Sequence, residues 1–314
     1  MSESIGFIFP GQGSQSVGMG RALCEAHPAL RDLYDQASAI LGYDVAALCF
    51  EGPAEQLNQT EFTQPALLVT SMAALRLVEQ TGIQPLAVAG HSLGEYSAVV
   101  AAGGLSFSDA VSLVQKRGTY MAQAVPAGSG LVAAVLGMPV DQIQAACEEA
   151  RAVGVVSAAN YNAPGQVVIA GERAAVEHAN ALLKEKGCRR IVPLPVSVPV
   201  HTPLMTSAAD RLSADMATVS LADLRVPLIN NAEAEPLRQA EDIRASLIRQ
   251  LPSSVRWEQS MNKMKALGVT TFIEIGPGTV LAGLVKRILP EAVVLNVHDP
   301  DSFQATRQRL AGNA

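Results

Sequence analysis

Residues 86–103 read LAVAGHSLGEYSAVVAAG, and the order of features in this stretch decides the architecture. Leu86 to Ala89 is an apolar run without polar alternation, the pattern of a short strand buried on both faces. Gly90-His91-Ser92-Leu93-Gly94 interrupts it, and Tyr96, Val99, Val100 and Gly103 then recur at helical spacing. The order is strand, tight turn, helix. Gly-x-Ser-x-Gly is the nucleophile-elbow pattern, in which glycines relieve crowding in a strained turn and the hydroxyl is held out at the end of a strand. Five residues alone are a weak signal, and a plain tight turn is the competing reading. The flanking strand and helix supply the context the motif demands, so Ser92 is the candidate nucleophile. The helix start also offers backbone N–H groups and a positive dipole end to a developing oxyanion, with Leu93 N–H the first donor.

The same texture extends outward in both directions. Residues 5–9 form an apolar run that ends in Pro10-Gly11-Gln12-Gly13-Ser14-Gln15, a strand feeding a glycine-rich loop. A helix is expected to begin near Pro65, with Leu68, Met72, Leu75 and Val78 on one face and Gly82 at its close. From 131 to 194 the pattern changes to strand 131–136, helix 140–151, strands 155–160 and 166–170, helix 172–186 and strand 189–194. That is βαββαβ, the ferredoxin-like arrangement. Gly128-Ser129-Gly130 and a proline-rich stretch at 193–203 bracket it, so it is expected as an inserted domain, 128–196, within a core made of 1–127 and 197–314. The remainder returns to α/β texture: a strand near 226–229, helices near 240–251 and 257–267, a strand at 271–275, then Gly276-Pro277-Gly278 and a last helix.

Composition narrows the classes of function. The 314 residues are 49% hydrophobic and 17% charged, enough to bury a core, while only 4% are aromatic, so that core is aliphatic. A net charge of −6 argues against a broad nucleic-acid surface, which needs clustered Lys and Arg. No apolar run approaches the roughly 18–20 residues that span a bilayer, and no signal-peptide pattern opens the chain. A cytoplasmic protein is expected. Cys24, Cys49, Cys147 and Cys188 show no CxxC spacing, and neither disulfides nor a metal site are expected.

An oxyanion hole needs a second donor, and the Gln12 loop is the candidate. Read as a dinucleotide fingerprint, that loop fails at its third glycine, and no GK[ST] follows for a P-loop; a structural turn is the other reading. A serine nucleophile needs a base, usually histidine. Of five histidines, His27 and His178 lie in polar helical surroundings, His298 lies near the C-terminus, and His91 adjoins the nucleophile but is expected to pack beneath the turn. His201 remains, in the irregular Ser197-Val198-Pro199-Val200-His201-Thr202-Pro203 segment that could present an imidazole into a cleft. Arg117 shares a helical face with Ala110, Leu113, Val114 and Met121, and a guanidinium there needs an anionic partner. That partner is either a core carboxylate or a carboxylate on a substrate, bound bidentately.

Beyond single motifs, the chain resembles the malonyl-CoA:acyl carrier protein transacylase family of bacterial fatty acid synthesis. The resemblance runs nearly end to end: FPGQGSQ at 9–15, GPAEQLN at 52–58, TQPAL at 63–67, AGHSLGEYSA at 89–98, NAPGQVVIAG at 162–171, PLPVSVPVH at 193–201 and EIGPG at 274–278. It implies a hydrolase-like α/β parallel-sheet core carrying the ferredoxin-like insert. It further implies Ser92 as nucleophile, His201 as base, Arg117 as clamp for the malonyl carboxylate, and the Gln12 and Leu93 N–H groups as oxyanion hole. Gln250 is the implied position whose main-chain carbonyl orients the histidine, beside the substrate site, and Asn160 and Asn162 are implied to line that site. Malonyl-CoA and acyl carrier protein are the implied partners, with no metal or redox cofactor, no nucleic acid and no membrane, and the expected state is a monomer. A serine thioesterase, a polyketide-type acyltransferase and a non-catalytic carrier-binding module are the alternatives.

Overall fold

Ile5–Phe9 forms β1 in the middle of a six-stranded sheet, and burial from Gly6 to Phe9 explains why the run carries no polar alternation. The computed structural model describes residues 4–194, 196 and 198–311. In chain order the other strands are β2 (Ala87–Gly90), β3 (Gly130–Leu136), β4 (Val156–Ala163), β5 (Gln166–Glu172), β6 (Arg190–Pro193), β7 (Leu228–Ile229), β8 (Pro236–Leu237), β9 (Thr271–Ile275) and β10 (Val293–Val297). The large sheet runs β10-β9-β1-β2-β7-β8 and is parallel except for β8, which returns antiparallel beside β7. Parallel neighbours need crossovers, and helices such as Thr60–Gln80 and Phe107–Gln123 supply them.

The second sheet, β4-β5-β3-β6, is antiparallel throughout. Its two middle strands are the first and third of its chain order, which is the ferredoxin-like arrangement expected from the sequence. Helices Val140–Ala150 and Arg173–Glu185 pack on one face, where Ile143, Val176 and Leu183 meet Val135 and Ile169 in a separate apolar cluster. These elements fall between 130 and 193. The expected exit at 196–197 involves Ser197, which with Pro195 lies outside the described residues.

Three expectations require correction. The helix expected to begin near Pro65 begins at Thr60 and holds Pro65 in its interior. Proline there forfeits a single main-chain hydrogen bond, and the segment is held in place by other means. Thr63 Oγ1 donates to the carbonyls of Leu57, 2.5 Å, and Gln59, 3.0 Å, and Gly118 of the neighbouring helix lies so near that a Cβ on it would crowd Thr60 and Glu61. The helix Val280–Ile288 is not the last element: β10 and a helix, Pro300–Ala311, follow it. β10, the run VVLNV, is a half-buried strand at the edge of the sheet beside β9, as long as β1 and β9. Finally, the strand expected near 226–229 contracts to Leu228–Ile229 and acquires β8 as a partner. The four cysteines are buried free thiols, and no helix among the described residues is long and apolar enough to cross a membrane.

Candidate active site

Strand register brings the two glycine-bearing loops together. Phe9 pairs with Gly90, so the chains leaving β1 and β2 emerge side by side at the carboxyl edge of the sheet, where open α/β sheets form their ligand crevices. A Cβ on Gly11 would overlap the carbonyl oxygen of His91, one on Gly94 would overlap that of Phe9, and one on Gly90 would overlap the carbonyl of Gly94. The glycines are therefore demanded by close approach of main chain to main chain. Between them Ser92 sits at φ 51°, a left-handed conformation that costs a side-chain-bearing residue on the order of 1–3 kcal/mol and is kept where the surroundings over-determine it. Asn231, just after β7, supplies that constraint: its Oδ1 accepts from Ser92 N–H at 2.7 Å and its Nδ2 donates to the Gly90 carbonyl at 2.7 Å.

His201 reaches the same point from the segment after the small sheet. It too has a left-handed main chain, φ 61°, and is buried. Its Nε2 lies 2.8 Å from Ser92 Oγ, while Nδ1 faces two main-chain carbonyls, Gln250 at 3.0 Å and Ser253 at 3.1 Å. Carbonyls only accept, so the ring proton belongs on Nδ1 and Nε2 is left as the acceptor facing the hydroxyl. Burial, and then the charge of Arg117, pull the imidazole pKa down to about 3, so the ring is neutral at physiological pH. No acidic side chain takes the third place of a triad among the described residues; two carbonyls orient the ring instead.

Arg117 is only 1% exposed, on the buried face of helix Phe107–Gln123 as its spacing predicts. Its Nη1 donates to Gln64 Oε1 at 2.7 Å, and Nη2 donates to Gln250 Oε1 at 2.8 Å and to Ser92 Oγ at 3.1 Å. Among the described residues Nε has no hydrogen-bond partner, and no carboxylate lies within 4 Å of the guanidinium. Burial lowers its pKa, against the opposing effects of Tyr96 and Glu95, and the ring of Tyr96 lies 5.6 Å from the guanidinium. A core carboxyl, Glu95, acts on the guanidinium but forms no ion pair with it within 4 Å, so the positive charge keeps room for an anion that enters the cleft.

The cleft lies between the two sheets. Gln12, Ser92, Leu93 and Met121 line it from the core, and Val132, Asn160, Val168 and Leu194 from the small sheet. The main-chain N–H groups of Gln12 and Leu93 have no hydrogen-bond acceptor among the described residues, whereas that of Ser92 is taken by Asn231. His91 is hydrogen-bonded as expected, its Nε2 2.8 Å from Asn162 Oδ1 and its ring tilted against Trp257, but it is only partly buried and also lines the cleft. Asn160 lines the cleft and Asn162 acts through His91. His27, His178 and His298 lie elsewhere. A roomier surface cleft around His27, Asp32, Arg76 and Gln80 holds none of these groups.

The match to known proteins spans this whole arrangement. The model of the acyl transferase domain family matches residues 6–306. The chain belongs to that family. A malonyl CoA-acyl carrier protein transacylase of Bacillus subtilis is 48% identical over 98% of this chain and 97% of its own length. The crystal structure of a malonyl-CoA:acyl carrier protein transacylase from Xanthomonas oryzae superposes with a TM-score of 0.96 at 45% identity, covering 98% of this chain and 99% of that one. A malonyl-transacylase solved with a type II polyketide acyl-carrier protein gives a TM-score of 0.96 at 42% identity, covering 98% and 100%.

Within this acyl transferase, three contributors carry no signal of their role in the sequence: Asn231, Gln64 and the Ser253 carbonyl. Gln64 sits inside the TQPAL motif, which marks its neighbourhood but not its contact. Asn231 follows the apolar run that becomes β7, and its position after a parallel strand is the one available clue. The Ser253 carbonyl has no side-chain chemistry to advertise it at all.

Proposed function

We propose that the protein transfers a malonyl group from malonyl-CoA to the phosphopantetheine thiol of an acyl carrier protein through a malonyl ester on Ser92, supplying fatty acid synthesis. The observation that carries this reading is the 3.1 Å between Arg117 Nη2 and Ser92 Oγ. In malonyl-CoA a single methylene separates the free carboxylate from the thioester carbonyl. An anion clamp for this substrate must therefore lie within a few ångströms of the nucleophile, and a buried guanidinium without a carboxylate partner does. The malonyl carboxylate replaces Ser92 Oγ as its acceptor, pairing bidentately and leaving the hydroxyl to His201.

The steps follow from the hydrogen bonds. Ser92 Oγ gives its proton to His201 Nε2 and attacks the thioester carbonyl, while the Gln12 and Leu93 N–H groups receive the oxyanion. The carbon–sulfur bond breaks, the proton passes from Nε2 to the departing coenzyme A sulfur, and malonyl-Ser92 remains. The carrier thiol then loses its proton to Nε2 and attacks the ester; Ser92 recovers the proton as it leaves. Each proton gained is returned, so the cycle balances without a metal or redox cofactor. Every named group comes from one chain, which supports a monomer as the working unit, and the separate apolar cluster of the small sheet supports 128–196 as an inserted domain.

Intact-mass measurement after mixing with malonyl-CoA tests the reading. A malonyl adduct should form, persist for minutes, and vanish on addition of holo acyl carrier protein. Rapid loss of the adduct to water without carrier would make the protein a thioesterase. Ser92→Ala should form no adduct, and His201→Ala should load more slowly by about a hundredfold, the usual scale for a positioned base.

A further inference from the structure

Behind the serine turn lies a buried carboxyl that the steps above do not use. Glu95, in the first turn of helix Gly94–Ala101, is fully buried. Its Oε2 accepts a 2.6 Å hydrogen bond from Gln250 Nε2, and its Oε1 has no partner among the described residues. The same Gln250 Nε2 donates to the Ser92 carbonyl at 2.8 Å, while Gln250 Oε1 accepts from Arg117 Nη2 at 2.8 Å. A glutamine amide can turn over, exchanging its oxygen and nitrogen. Were this one to turn, its NH2 would face the guanidinium, donor against donor, and Arg117 Nη2 would lose its fixed acceptor. The Ser92 carbonyl and Glu95 are the two acceptors that hold the amide the right way round.

We propose that Glu95 is a positioning residue for acyl selection: by fixing the side-chain amide of Gln250 it aims Arg117 at the malonyl carboxylate. This rests on the malonyl-transfer reading above. The role requires an acceptor and not a charge. Burial raises the Glu95 pKa to about 8, against the opposing effects of the Gln250 hydrogen bond, the Asn231 main chain and Arg117, so the carboxyl is largely neutral at physiological pH. The charged groups around it are Arg117 from helix Phe107–Gln123 and Glu233 from the turn between β7 and β8; helix Ala240–Gln250 presents the neutral Gln250. Ionisation above about pH 8 places an anion behind Arg117 that competes with the one on the substrate.

The test compares kcat/KM for malonyl-CoA and acetyl-CoA in the wild type, Glu95→Gln, Glu95→Ala and Arg117→Ala. Glu95→Gln keeps an oxygen acceptor and should hold the malonyl-to-acetyl ratio within about threefold, whereas Glu95→Ala should lower that ratio about tenfold or more, through malonyl alone, the scale of one directed hydrogen bond. Between pH 7 and 9 the ratio should fall in the wild type and stay level in Glu95→Gln. Equal losses for both substrates in Glu95→Ala, or a Glu95→Gln variant as impaired as Glu95→Ala, would overturn the proposal. So would an unchanged ratio in both Glu95 variants while Arg117→Ala loses its preference, and that result would leave the malonyl-transfer reading standing. If Arg117→Ala kept the preference, that reading itself would fall.

Discussion

At the scale of single residues, the site is a set of groups held in conformations and surroundings unlike those they have in water. Ser92 and His201 both occupy left-handed main-chain conformations, His201 is held neutral by burial and by Arg117, and Arg117 is a buried cation whose nearest partners are amides and a hydroxyl. The two charges interact: Arg117 is the second cause of the low His201 pKa, after burial. Arg117→Ala should therefore do two things. Malonyl transfer should fall by about 30-fold to several thousandfold, the cost of breaking a desolvated charge pair, while acetyl transfer falls little. The acid limb of the acetyl kcat/KM profile should also move to higher pH, because the base regains proton affinity once the neighbouring cation is gone. Arg117→Lys should rescue malonyl transfer only in part, since an ammonium cannot form two parallel hydrogen bonds. Equal losses for both acyl groups, with no shift of the acid limb, would make Arg117 a structural residue. The residues whose type advertises chemistry, Ser92, His201 and Arg117, are legible in the sequence. Asn231, Gln64 and the Ser253 carbonyl are not, because an amide or a carbonyl acquires its role only from where the fold puts it.

At the scale of elements, glycine separates what the turn requires from what it tolerates. Strand β2, the elbow and helix Gly94–Ala101 are legible in the sequence because each obeys its own local rule and all three agree. The start of helix Thr60–Gln80 is not, because Pro65 argues locally for a break that packing overrides, and the place of β10 is not, because pairing at the edge beside β9 is a tertiary choice that the local run VVLNV does not encode. Gly94→Ala sets a methyl against the Phe9 carbonyl, which as main chain cannot swing aside. Overpacking of this kind costs about 1–3 kcal/mol. Gly283, exposed in the middle of helix Val280–Ile288, has nothing within 4 Å of the place a Cβ would take, and its main chain is not left-handed. Gly283→Ala should stabilise by about 0.5–1 kcal/mol, the helix-propensity difference. Urea unfolding of the two variants should move in opposite directions. Gly94→Ala with wild-type stability and full malonyl loading would mean the elbow can relax, contrary to the contacts described.

At the scale of the whole molecule, the question is where a protein of net charge −6 would offer a basic surface to the proposed carrier. Two basic clusters stand out in the sequence, Lys184, Lys186, Arg189 and Arg190 in the inserted unit and Lys286-Arg287 on a core helix, and along the chain they read as alternatives. The sheet register joins them. Arg190 and Gln166 both pair with Leu136, so they stand in one row across β6, β3 and β5, with their side chains on one face. Arg287 bonds to the Gln166 side chain and to the Pro164 carbonyl at 3.0 Å, which brings the core cluster to the end of that row. Two-residue steps from the row along β3, β5 and β6 keep to the same face and lead to Val132, Val168 and Leu194, which line the cleft. Neither Arg190 nor Arg287 has a carboxylate within 4 Å among the described residues, so both charges are open to a partner. A carrier docked there would send its phosphopantetheine arm along the sheet face toward Ser92. Arg190→Glu and Arg287→Glu should each slow transfer to the carrier and flatten its dependence on salt, and should slow malonyl loading from coenzyme A less, since that donor brings the same arm but no protein surface. Because the two residues serve one patch, their effects should be non-additive in the double variant. Stopped-flow discharge of malonyl-enzyme by holo carrier, over a range of salt, reads this directly. Unaltered discharge by the double variant would place the carrier on another face, and strictly additive effects would return the two clusters to separate roles.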